Sequence, residues 1–256
     1  METVFWGFLI VGLSAVLAFA GFLVARRLVS FDLREAHNSN TAVMFGALYV
    51  LYGLIVGFSA YFVSYQYDTA QKTAQGEAAS VEEIHRLAEG FPETKRREVQ
   101  DLAESYARLV VDEGWPMMRE GRISARAGAA ADELRRSVLA FESRTERDDA
   151  LYSQALTLVA DLDEGRALRL LEVREGIPSL LWVVLIVGGV VTVGFTYLLG
   201  VQTERLHVVM ILAYTLVLVL ILYAIRALDY PFDGLAQVGP DAFEAALSRM
   251  ESYGGR

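Results

Sequence analysis

The chain has 256 residues, 54% of them apolar, a formal charge of -9 and no cysteine. That apolar share is high for a protein that lives wholly in water. The acidic balance argues against nucleic acid as a partner, and the missing cysteines remove disulfides, thiolate nucleophiles and cysteine metal sites.

The apolar excess is concentrated in residues 3–25, 41–65, 178–200 and 207–225, which contain no Asp, Glu, Lys or Arg. A hydrocarbon core of about 30 Å needs roughly 20 residues of helix, so each run is expected to cross a membrane. Continuous runs exclude a barrel, whose strands alternate. The first run is too long for the apolar core of a signal peptide, nothing basic precedes it, and Arg26 and Arg27 follow it. It is therefore read as a retained span. Residues 1–65 hold spans one and two, and no Gly or Pro interrupts 65–75, so the second span is expected to run on as one long helix.

Residues 66–177 are charged and carry helical stripes: Val99, Leu102, Tyr106, Leu109 and Val110, then Leu134, Val138 and Phe141, then Leu151, Ala155, Leu158 and Leu162. Packed helices would bury these stripes in an extramembrane domain. Gly90–Phe91–Pro92 and Gly114–Trp115–Pro116 are expected breaks. Gly176 and Pro178 fit a stop and restart, and the short 201–206 loop makes spans three and four, within 178–228, an antiparallel hairpin. The tail, 229–256, is expected to hold a short amphipathic helix over 241–250.

The expected fold class is thus an all-α membrane protein, four spans in two pairs with a helical domain inserted between spans two and three. Charge leaves its orientation open. Arg26, Arg27 and Arg34 flank one side, while Lys72, Arg166, Arg169, Arg174 and Arg226 flank the other.

Gly46, Gly53, Gly57 and Ala60 share one face of the second span. Small residues let helices approach closely, so packing within the four-span unit is the plainer reading. The sharper one is a permeation path that includes Tyr49 and Ser64. Gly189, Thr192, Thr196 and Gly200 on the third span read as packing. No ionisable residue lies deep in a span, which disfavours proton relays, voltage sensing and coupled transport but suits a passive conduit with an apolar constriction. Phe58, Tyr61, Phe62, Tyr65 and Tyr67 are neck candidates, or else an interfacial aromatic belt. His37 and His207, beside Asp32, Glu35 and Glu204, form a weak metal or pH pair; isolated interfacial histidines more often do neither. Glu82 with Glu83, Asp148 with Asp149, and Asp161, Asp163 and Glu164 read as solvated faces without a calcium loop. No catalytic motif is present, so neither catalytic residues, a resident metal nor a cofactor is expected.

His37 and Asn38, Gly46, Glu77 and Ala78, the block Tyr106, Glu113, Trp115, Pro116, Met118 and Gly121, then Trp182, and above all Asp229, Tyr230, Pro231, Phe232, Asp233 and Gly234 together resemble the bestrophin-like family of bacterial membrane proteins. The resemblance implies a homo-oligomeric ion channel, five four-span subunits around a pore lined by second spans. By likeness the neck maps to Tyr49 through Phe62, giving Gly46, Tyr49, Gly53, Gly57, Phe58, Ala60, Tyr61 and Phe62 as candidate pore-lining residues. The partners would be the lipid bilayer, further copies of the chain and inorganic ions. The location would be the bacterial cytoplasmic membrane, with termini and inserted domain on the cytoplasmic side. The acidic calcium clasp of animal bestrophins has no match. Asp229 and Asp233 read either as a cation site or hold on basic residues of the domain, or as a helix stop with a capping carboxylate. The alternative function is a membrane-anchored sensor or scaffold whose 66–177 bundle binds a ligand or partner protein.

Overall fold

A computed structural model describes residues 2–173, 176–233 and 236–254. The described residues form helices and no strand, and they divide into two compact units, Met1–Tyr65 with Gly176–Asp229 and Gln66–Glu175 with Tyr230–Arg256. Four helices are long and apolar enough to cross a membrane.

The first unit contains α1 (Glu2–Leu28), the short α2 (Phe31–Ala36), the first half of α3 (Asn38–Leu87), α8 (Ser179–Thr196) and α9 (Glu204–Leu228). Helix α3 runs 50 residues without interruption, about 75 Å at 1.5 Å per residue, well over twice a hydrocarbon thickness. In lipid no hydrophobic force drives helices together, so they associate where small residues admit a neighbour. Tyr52 of α3 fills that role against α8: a Cβ added at Gly188 would lie 2.6 Å from its ring, and the Tyr52 hydroxyl donates to the Leu185 carbonyl at 2.7 Å. Tyr52, Val56, Val63, Leu185, Leu218 and Ile225 form one buried cluster; Ala18, Phe22 and Ile211 form another between α1 and α9. The remaining surface is apolar. Phe8, Val16, Leu180 and Val190 are each more than 60% exposed, a pattern that water would punish and acyl chains satisfy.

The second unit packs the remainder of α3 with α4 (Glu93–Leu109), α5 (Trp115–Arg119), α6 (Ala125–Leu139), α7 (Glu146–Glu172) and α10 (Asp241–Gly254). The stripes read from the sequence lead inward: Val99, Tyr106, Val110, Leu134, Val138, Ala155 and Leu162 are buried, and Leu102, Leu109, Leu151 and Leu158 pack against them. Ser124 and Thr145 cap α6 and α7 by accepting the Ala127 and Asp148 N–H groups at 3.1 and 3.2 Å.

Gly114–Trp115–Pro116 is not a break. The backbone widens into a π turn over Val110–Gly114 and continues as α5. Pro116 falls in the first turn of α5, where its missing N–H costs little. The chain turns instead at Gly121, whose φ of 68° suits glycine. The tail is part of the second core, because Phe243, Ala246 and Met250 recur at helical spacing and are fully buried.

Candidate pore face and the contacts that support it

Helix α3 presents two unlike faces in the first unit. Tyr52, Val56, Ser59 and Val63 are buried against the bundle. About a third of a turn round the helix, a Cβ built at Gly46, Gly53 or Gly57 meets nothing within 4 Å. Packing within one chain therefore does not explain these three glycines, which corrects the plainer of the two sequence readings. Tyr49, Phe58, Tyr61 and Phe62 are 51%, 65%, 70% and 43% exposed. Tyr61 stacks on Tyr65 with ring centroids 6.4 Å apart, while Tyr49 leans on Phe45 and on Tyr214 of α9. Ala60 differs from the rest, half-buried against the Tyr52 cluster at the edge of the open face. On α8 the packing reading holds: Gly189 faces Tyr52, Thr192 and Thr196 are buried with hydroxyls donating to Gly188 and Val193 carbonyls, and Gly200 lies against the Glu35 backbone.

The residues that carry the family resemblance separate into structural clusters. Asn38 opens α3 and accepts the Gly200 N–H at 2.9 Å. His37 is exposed at the end of α2, whereas His207 is buried, its Nε2 2.8 Å from the Thr196 carbonyl and its ring 5.0 Å from Phe22. The histidine pair is thus not assembled, and among the described residues no His, Asp and Glu cluster suits a metal. Asp229 is buried and accepts from the Ile177 N–H at 2.6 Å and the Trp182 indole at 3.0 Å. That decides for a capping carboxylate over a cation ligand. Asp233 is exposed, and Gly234 lies outside the described residues.

In the second unit Glu77 is the centre. It is fully buried on α3, binds Arg169 of α7 through two bonds of 2.6 and 2.9 Å, and accepts the Tyr106 hydroxyl. The Arg169 guanidinium carbon lies 5.3 and 5.8 Å from the rings of Trp115 and Phe243, and its Nη1 is 3.0 Å from the Met118 sulfur. Burial and the neighbouring carboxylate hold the Tyr106 hydroxyl well above its usual pKa. Burial lowers the Arg169 value, but Glu77 more than restores it. Trp115 donates to the Val238 carbonyl at 2.9 Å and meets Phe232 edge-on at 5.9 Å; the Pro231 carbonyl accepts the Val238 N–H at 2.7 Å. Glu113 accepts from Ser124 at 2.5 Å and Arg126 at 2.8 Å, fixing the α5–α6 turn.

Arg169 and Arg34, read from sequence as flanking charges, are 3% and 7% exposed. The available signal for Arg169 was the lone carboxylate Glu77 on an alanine-lined stripe, Ala70, Ala74 and Ala78, which calls for a buried cation.

The profile of the Bestrophin-like domain family matches residues 12–243, and the chain belongs to that family. The fold and apolar helices make it a multi-pass membrane protein. Among solved structures, a bacterial bestrophin homolog from Klebsiella pneumoniae superposes with a TM-score of 0.67 at 11% identity, covering 95% of this chain and 98% of that one. A single-substitution variant of that homolog gives 0.68 at 12% identity with 100% of both chains covered. A structure described as a membrane protein gives 0.71 at 9% identity over 96% and 99%. Curated proteins return no match.

Proposed function

We propose that this chain is one subunit of a homo-oligomeric ion channel that conducts passively through a pore lined by the open face of α3. The observation that carries this reading is an unpacked surface of α3, with three glycines along one flank and the exposed rings of Phe58, Tyr61 and Phe62 beside it, on a span that meets its own bundle through Tyr52, Val56, Ser59 and Val63. Membership of the Bestrophin-like family and the likeness to solved bestrophin homologs support it. Copies arranged around an axis, five in number as the resemblance implies, would cover the flank at Gly46, Gly53 and Gly57 and turn Phe58, Tyr61 and Phe62 toward a shared path, with Tyr49 at the edge against Tyr214. With no Asp, Glu, Lys or Arg deep in the spans, ions would pass along backbone dipoles, hydroxyls and ring edges, and the apolar rings would gate by dewetting.

On this reading the chain is not an enzyme. It sits in the bacterial cytoplasmic membrane, with residues 1–65 and 178–228 as its membrane part, and with the 66–177 domain and the 229–256 tail on the cytoplasmic side.

The absence of native cysteine makes a direct test clean. Phe58→Cys, treated with a charged, water-soluble thiol reagent, is expected to lose ion flux in vesicles, while Leu13→Cys on the lipid-exposed side of α1 keeps it. Equal flux before and after treatment of Phe58→Cys would remove α3 from the pore.

A further inference from the structure

At one end of the first unit, where α1 and α8 stop and α3 and α9 begin, the chain gathers Arg26, Arg27, Arg34 and Arg205. Arg26 is satisfied by Glu204, and Glu35 accepts from Gln202 at 3.4 Å. Arg27 and Arg205 are exposed. Arg34 is the anomaly. It is 7% exposed, its guanidinium carbon is 6.0 Å from the Phe31 ring centroid, and its Nη1 makes one long bond of 3.3 Å to the Tyr197 carbonyl. Its buried Nε has no acceptor, and no carboxylate among the described residues pairs with it.

The Tyr197 carbonyl belongs to the C-terminal end of α8, whose dipole supplies roughly half a negative charge. Half a charge does not neutralise a desolvated guanidinium that offers five donors. Helix α9 starts at the same end: Thr203, which precedes it, makes no side-chain capping bond, and Arg205 in its first turn is exposed. Leu28, Leu33 and Leu206 beside these arginines are 79%, 52% and 53% exposed. Free anions have no use for such leucines; a phosphate esterified to acyl chains uses both kinds of surface.

We propose that this end of the bundle binds the phosphate of an anionic phospholipid headgroup, with Arg34 and Arg205 as donors and Leu28, Leu33 and Leu206 against the acyl chains. The site requires spanning helices but not conduction, so it stands or falls apart from the channel reading.

Native mass spectrometry of the full chain, released from detergent containing phosphatidylglycerol or phosphatidylcholine of matched acyl length, tests it. The expected result is a preference for the glycerol lipid of about tenfold, lost in Arg34→Gln and in Arg205→Gln and kept in Arg147→Gln, a charge control on α7. Arg205 is exposed, so its variant carries the test if Arg34→Gln fails to fold. Equal retention of the two lipids, or an unchanged preference in Arg205→Gln, overturns the proposal. Displacement of the lipid by excess inorganic phosphate overturns the lipid assignment in favour of a free anion.

Discussion

The Asp229 carboxylate ties itself to Trp182 across the open end of the α8–α9 hairpin, taking the indole N–H at 3.0 Å while its other oxygen takes the Ile177 N–H at 2.6 Å. Asp229 follows α9 and Ile177 precedes α8, so a single buried side chain joins the end of α9 to the start of α8. Hydrogen bonds to a charged group contribute about 1.5–3 kcal/mol each. Asp229→Ala is expected to destabilise the detergent-solubilised protein by about 2–4 kcal/mol, and Asp229→Asn, which keeps one acceptor, by less. Denaturant titration followed by tryptophan fluorescence reads both; wild-type midpoints in the two variants would refute the clamp.

The Glu77–Arg169 pair is expected to behave as a buried charge pair. Removing one partner strands the other, at about 3–5 kcal/mol, whereas replacing both with apolar residues of similar size costs much less. Glu77→Leu combined with Arg169→Met should therefore be more stable than either single variant. Additive losses in that double-mutant cycle would show that the two residues act independently.

Two glycines in adjacent spans should respond in opposite ways. Gly188→Ala forces a Cβ to 2.6 Å from the Tyr52 ring, and overpacking of this kind costs about 1–3 kcal/mol. Gly53→Ala meets open space within the subunit and gains about 0.5–1 kcal/mol in helix propensity. Thermal midpoints of the two variants, measured on the monomer dissociated in detergent, should fall on either side of wild type, and a matching loss in both would place Gly53 inside the single-chain fold.

His85 provides a pH signature. It is 1% exposed on α3, its Nδ1 has no partner, and its Nε2 is 3.5 Å from Glu104. Burial pushes its pKa down, against the pull of Glu104, Glu89 and Asp101. The folded state therefore holds His85 neutral. That stability is complete above the unfolded value of about 6.5 and is lost as pH falls toward the lower folded value. The slope from one proton is at most about 1.4 kcal/mol per pH unit. His85→Phe should flatten the slope below pH 6.5, and an unaltered profile would assign it to other groups.

Much of the architecture was legible because its signals are local. The charge-free runs mark the spans, the stripes through Tyr106, Leu134 and Leu162 mark the second core, and uninterrupted sequence after Tyr65 marks the long α3. Pairings between distant positions were not legible. Nothing near Asp229 names Trp182, and nothing near Arg169 announces that it leaves the membrane surface to meet Glu77. The glycines of α3 illustrate the same limit: their spacing shows a shared face, and only the placement of α8 on the Tyr52 side shows that the face is left open. Pro116 misled because proline stops a helix interior but fits a first turn, and the π turn before it supplies one.

Single-channel recording of the purified protein in planar bilayers tests the central claim most directly. The account predicts discrete currents from wild type and larger unitary conductance in Phe58→Ala and Phe62→Ala, whose smaller side chains widen an apolar neck. No current above background from correctly folded protein, or identical conductance in both variants, would contradict a pore lined by α3.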